Sequence, residues 1–105
     1  MSMHRNKPLR LYVLVRNDLE VTYRGVQGIH AVAAFYEVGG HPGWHNETVV
    51  QLAVRNEQEL RYWAEKLAMR GKKFSYFTEP DLKGQMTSIA CVDTGEIFSK
   101  LPLSK

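Results

Sequence analysis

The chain contains one cysteine, Cys91, so no disulfide can close within it, and such sparing use suggests a reducing, cytoplasmic setting. It has no run of about 18 apolar residues, the length a membrane helix needs. The opening stretch, Met1 to Arg10, is polar and basic and lacks the apolar core of a secretory leader. It reads as a flexible terminus over residues 1–8. Familiar chemical signatures are missing too: no Gly-rich phosphate loop ending in Lys-Ser/Thr, no His-Glu-x-x-His and no cysteine pair. His41 and His45 are four apart, but Pro42 and Gly43 between them prevent a regular helical metal pair. No metal site is expected. Charge of one sign is not in large excess, since 14 Lys and Arg against 11 Asp and Glu give +3. That balance permits an anionic partner such as RNA, but only convergence of the positive charges on one surface would make a binding site.

What remains is a chain of 105 residues, 44% of them hydrophobic, enough for one domain with one modest core. A homodimer covering an apolar face suits a domain of this size. Leu11 to Arg16 is an apolar, β-branched run that predicts a strand buried on both faces. From Gly25 to Val38 the period becomes helical, and Val26, Ile29, Ala33 and Tyr36 form the stripe expected to face the core. Gly28, Ala31 and Ala34 are small enough for close packing, and Gly39-Gly40 ends the helix. Thr48 to Val54 predicts a second strand. Asn56 and Glu59 have the spacing of a capping box and open a helix to about Arg70, with Leu60, Trp63, Ala64 and Leu67 inward. Strands are expected at Lys73 to Phe77 and Met86 to Val92, separated by a loop from Thr78 to Gln85. The residues after Asp93-Thr94-Gly95 should extend the last strand or dock beside it. The order strand, helix, strand, helix, strand, strand implies a mixed four-stranded α/β sheet with helical crossovers joining parallel neighbours.

In such a layer, ligands gather where parallel strands end. Asp18 lies just beyond the first strand, and Gln27 and His30 are three apart on one helical face. Glu79 and Asp81 lie in the loop before the last strand. Thr87 begins that strand and reaches the same edge if the strand runs antiparallel. Each residue also has a plainer reading: Asp18 ending a turn, Gln27 facing solvent, His30 packed against a carbonyl, Thr87 a good strand former. Cys91, among Ile89, Ala90 and Val92, reads as a small buried hydrophobe.

Two of these stretches, Tyr12-Val13-Leu14-Val15-Arg16-Asn17-Asp18-Leu19 and Gln27-Gly28-Ile29-His30-Ala31, resemble the type 2 peptidyl-tRNA hydrolase family. The first is similar to its opening strand with the Arg-x-Asp-Leu ending, the second to its Gln-x-x-His-Ala helix. Val49 to Val54, the second helix and Thr87 to Val92 follow in the family's order. The resemblance covers roughly Leu9 to Val92. It implies a compact α/β domain, commonly a homodimer, that hydrolyses the ester of peptidyl-tRNA, or a related N-blocked aminoacyl-tRNA, without a cofactor. It places the catalytic site at Asp18, Gln27, His30 and Thr87, with His30 or Asp18 activating water and Gln27 and Thr87 positioning the ester or its oxyanion. Tyr23, Arg24 and Asp81 are candidate site-lining residues, and Arg16, Arg24, Lys72, Lys73 and Lys83 are candidate RNA contacts. Two positions depart from the pattern. Tyr23 stands where the family has lysine, beside an Arg24 that stays protonated and cannot serve as a base. Asp81 is six residues before Thr87, where the family has Asp-Ala-Gly close to threonine. The alternative is an RNA- or ribosome-associated binding module that kept the fold and lost turnover.

Overall fold

The structure is a computed structural model that describes residues 7–105. The expected flexible terminus, residues 1–8, lies outside it except for Lys7 and Pro8. Strand β1 (Arg10–Arg16) leads to helix α1 (Val21–Glu37), strand β2 (Val49–Val54), helix α2 (Glu57–Met69), and strands β3 (Phe74–Glu79) and β4 (Gln85–Asp93). The sheet order is β2-β1-β4-β3. β1 pairs parallel with β2, from Leu11 opposite Val49 to Arg16 opposite Val54, and antiparallel with β4. β3 and β4 are antiparallel. The first crossover therefore joins parallel neighbours as expected, but the second does not: α2 carries the chain from β2 at one edge to β3 at the other.

β1 is central, and every residue from Leu11 to Arg16 is buried, in keeping with its continuous apolar run. One side of the sheet packs Tyr12, Leu14, Leu52, Val54, Ile89 and Cys91 against Leu60, Trp63 and Leu67 of α2. The other side packs Leu11, Val13, Val15, Ala90 and Val92 against Ala31 and Phe35 of α1. α2 begins as its sequence dictates. The Asn56 side chain accepts from the Glu59 N–H at 2.9 Å, and Gly71 takes the left-handed φ of 67° that stops the helix.

α1 differs from expectation in two respects. It starts four residues earlier, at Val21, because the Glu20 carboxylate caps it by accepting from the Tyr23 N–H at 3.2 Å. It is also turned over. Gln27, Gly28, Ala31 and Phe35 are buried, while the predicted inward stripe faces out, with Ile29 70% exposed, Tyr36 49% and Val26 45%. Gly28 explains the choice: a Cβ there would stand 3.1 Å from the Val13 side chain, so the helix lies on the sheet through its smallest residues. The segment after β4 also departs from expectation. It crosses to the far edge, where Leu103 bridges Leu52 and the Ala53 N–H donates to the Pro102 carbonyl at 2.8 Å.

Candidate functional site

A register shift between Phe77 and Thr78 sets the site. Phe77 pairs with Ser88 and Thr78 with Met86, so Thr87 is the extra residue of a β-bulge in β4. The bulge breaks strict alternation and turns both Thr87 and Ser88 toward α1. The Thr87 hydroxyl donates to Gln27 Oε1 at 2.5 Å, and the Ser88 hydroxyl donates to the Gln27 carbonyl at 2.5 Å. Gln27 Nε2 then donates to Glu79 Oε1 at 2.9 Å. Gln27 and Thr87 have no exposed surface. Both ends of the amide are engaged, and its orientation is fixed, because only the NH2 can donate to a carboxylate. These two residues thus hold Glu79 in place and do not reach the surface themselves.

Glu79, the last residue of β3, is the group that sequence reading left in a loop and outside the site. It is buried, and its other oxygen accepts from the Asp81 N–H at 3.1 Å. The Gln27 hydrogen bond, and after it the Asp81 N–H, hold its carboxyl below the ordinary range despite burial. A cue was present in the sequence. Glu79 precedes Pro80, and a residue before proline favours extended backbone, which continues β3 through a position read as loop.

Tyr23, Gln27 and His30 follow one another at four and three residues along one face of α1. The exposed His30 ring stacks on Phe77 of β3, with centroids 4.2 Å apart and planes at 11°. Tyr23 is half-buried beside Glu79. Desolvation, with the Glu79 charge second, raises its phenol above the usual value, so Tyr23 remains an O–H donor at neutral pH. Tyr23 and His30 thus stand on α1 beside Glu79 at the end of β3. The Asp81 side chain is exposed, and Asp81 contributes its backbone N–H.

Asp18 does not join this chain of hydrogen bonds. Its carboxylate accepts from Arg16 Nε and Nη2, both at 2.9 Å. This two-point contact is the largest cause of its lowered pKa. Arg16 continues the alternation of Tyr12 and Leu14 onto the α2 side of the sheet, where its Nη1 donates to Gln85 Oε1 at 2.9 Å and to the Met86 carbonyl at 3.1 Å. The expected convergence of four residues therefore resolves into two groups at one end of the sheet, on opposite faces.

The candidate RNA contacts divide into side chains engaged within the chain and side chains left exposed. The Arg16 side chain is only 8% exposed and is paired with Asp18. Arg24 donates to the carbonyls of Leu19, Asn17 and Lys105, so it fixes the loop after β1 and is turned away from Glu79. Lys72 is paired with the buried Asp93 at 2.6 Å. Lys73, exposed, lies over the Phe35 ring. Lys83 is exposed in the turn after Glu79 and forms no ion pair among the described residues. Cys91 is inert, since burial pushes its thiol up to about 12.

No family model and no curated protein matches the chain. Among solved structures, it is similar to Atu0240, a protein of unknown function from Agrobacterium tumefaciens, with a TM-score of 0.71 at 13% identity over 92% of this chain and 98% of that one. That likeness shows a shared fold, a small α/β layer with a four-stranded mixed sheet and two helices.

Proposed function

We propose that the chain hydrolyses the ester joining a peptide, or an N-blocked amino acid, to tRNA. The observation that carries this reading is the meeting of Gln27 and Thr87. Gln27 comes from one of the two stretches that resemble type 2 peptidyl-tRNA hydrolases, Thr87 opens a later segment that follows in the family's order, and they form one hydrogen-bonded chain ending at Glu79, beside Tyr23 and His30.

The chemistry requires a base for water and a donor for the developing oxyanion. His30 takes a proton from a water molecule as its oxygen attacks the ester carbonyl carbon. The tetrahedral oxyanion accepts a hydrogen bond from the Tyr23 hydroxyl, which occupies the family's lysine position as a donor and not as a base. The intermediate expels the ribose oxygen of the tRNA end, which takes the proton back from the imidazolium. The Glu79 carboxylate, held below the ordinary carboxyl range, stays ionised at neutral pH beside the reacting groups. Gln27 and Thr87 act through Glu79, and Asp18 acts through the loop it anchors with Arg16.

The test is release of the acyl group from N-blocked aminoacyl-tRNA by the purified protein. His30→Ala should lower the rate by about 100-fold or more, Tyr23→Phe by about 10- to 100-fold, and Asp18→Ala by much less. No release by the parent protein rejects the reaction, and full activity in His30→Ala rejects the site. Tight, salt-sensitive RNA binding without release reassigns the protein as an RNA-binding module.

A further inference from the structure

We infer that the peptide of the substrate joins the sheet as an added strand along the free edge of β3, which rests on the hydrolase reading. The two edges of the sheet differ. β2 has Leu103 bridged to Leu52 and gives its Ala53 N–H to the Pro102 carbonyl. β3 bonds β4 on one side and, among the described residues, no other main chain along Phe74 to Thr78. Alternation fixes which groups are left free. The Phe77 carbonyl accepts from the Thr87 hydroxyl at 3.5 Å, and the Glu79 carbonyl from the Gly84 N–H at 3.0 Å. These two residues therefore direct their main chain toward β4, and Phe74, Tyr76 and Thr78 direct theirs outward.

A bare edge is ordinarily guarded by lysine, proline or a bulge in the edge strand itself. β3 reads Phe-Ser-Tyr-Phe-Thr-Glu, with no lysine or proline inside it, and the bulge lies in β4. Its outward donors and acceptors recur about every 7 Å, a pattern that another extended main chain meets and a compact ligand does not. The edge also leads to the reacting groups. β3 ends at Glu79, beside Tyr23, and carries the Phe77 ring on which His30 stacks. The ester carbonyl carbon is the C-terminal carbon of the peptide. With that carbon at Tyr23 and His30, the peptide extends back toward Phe74, so its own direction matches that of β3 and the pairing is parallel. From Phe74 to Thr78 the edge spans about 13 Å, room for about four peptide residues. Main-chain pairing asks for no particular side chain, so this edge accepts peptides of differing sequence and discriminates by length.

Release from N-acetylaminoacyl-tRNA and from peptidyl-tRNAs of increasing peptide length tests the edge. kcat/KM should rise by about 10-fold or more up to about four residues and then level off. Tyr76→Pro removes an outward N–H without breaking a bond to β4. It should abolish most of that rise while the circular dichroism spectrum stays that of the parent, and Tyr76→Val should keep the rise. A rate independent of peptide length, or a rise that survives Tyr76→Pro, overturns the added strand and leaves the hydrolase reading intact. Absence of release from every substrate removes that reading, and amide exchange followed by NMR then decides the edge by itself. The probe is a tetrapeptide joined through an amide to an adenine aminonucleoside, which has no ester to cleave. It should slow exchange at the Tyr76 and Thr78 N–H groups by about 10-fold or more and leave Phe77, already turned to β4, unchanged. No slowing at millimolar probe overturns the proposal. So does slowing that needs no probe and grows with protein concentration, which gives the edge to a second copy.

Discussion

The two helices cover opposite faces of one sheet and use opposite logics. α2 buries Leu60, Trp63 and Leu67 and turns Arg61, Glu65 and Arg70 to solvent, with Arg61 paired to Glu57 four residues earlier at 2.9 Å. It is amphipathic in the ordinary way, with its apolar side inward. α1 reverses the arrangement. Its inward side is Gln27, Gly28, Ala31 and Phe35, polar or small apart from one ring, while its branched aliphatics and Tyr36 face out. The difference separates a helix held by dispersion and area from one seated closely enough to place a buried amide between a threonine and a glutamate. The first kind of contact stabilises the fold, and the second positions chemistry.

That contrast can be broken or sharpened by substitution. Leu60→Ala, on the α2 side, should produce the largest loss of stability, about 3 kcal/mol by urea unfolding, through lost transfer energy and a residual cavity. Gln27→Leu, nearly isosteric, should cost about 1–3 kcal/mol from broken buried hydrogen bonds. It should also lower any ester hydrolysis more than Leu60→Ala does when both are assayed well below their melting temperatures. If the two substitutions affected stability and activity in parallel, the division of labour between the helices would fail. The carboxylates predict a pH signature. The Glu79 pKa is lowered in the fold, so its contribution is present above the unfolded carboxyl value and is lost as pH falls through the folded one. Thermal melts should fall in acid, and Glu79→Gln should make that fall shallower. Smallest of all, Gly25→Ala should raise stability by about 0.5–1 kcal/mol in urea unfolding, since the Cβ position is open.

The same contrast explains what could be read from the sequence. α2 was legible from Asn56 to Gly71, because its cap, its apolar period and its stop residue agree. β1 was legible as a central strand because no polar residue interrupts it. The face of α1 is not legible in the sequence for a specific reason. Apolar periodicity locates a stripe but not what covers it, and an inward face built of glycine, alanine and glutamine gives no hydrophobic signal. Of the candidate site, Gln27, His30 and Thr87 could be selected from spacing and position at a strand edge. Glu79 shares the α1 face with Phe77 by plain alternation along β3, and ending that strand at Phe77 hides it; the contact between Thr87 and Gln27 depends on a one-residue bulge in β4, which changes the face a side chain meets without changing composition. Arg16 and Asp18 are two apart and were assigned to different tasks, although their side chains close on each other.

The segment Pro102–Lys105 gives the sheet a further property. β2 is an outer strand, and an outer strand left bare is a template on which another chain can add. Here its middle is occupied by its own chain, through Ala53 to Pro102 and Ser104 to Gln51 at 2.8 and 2.9 Å. The same segment is tied to α1 where Arg24 donates to the Lys105 carbonyl at 2.9 Å. One short strip thus closes an edge to recruitment and also braces the first turn of the helix that carries Tyr23, so that opening the edge would loosen the start of α1.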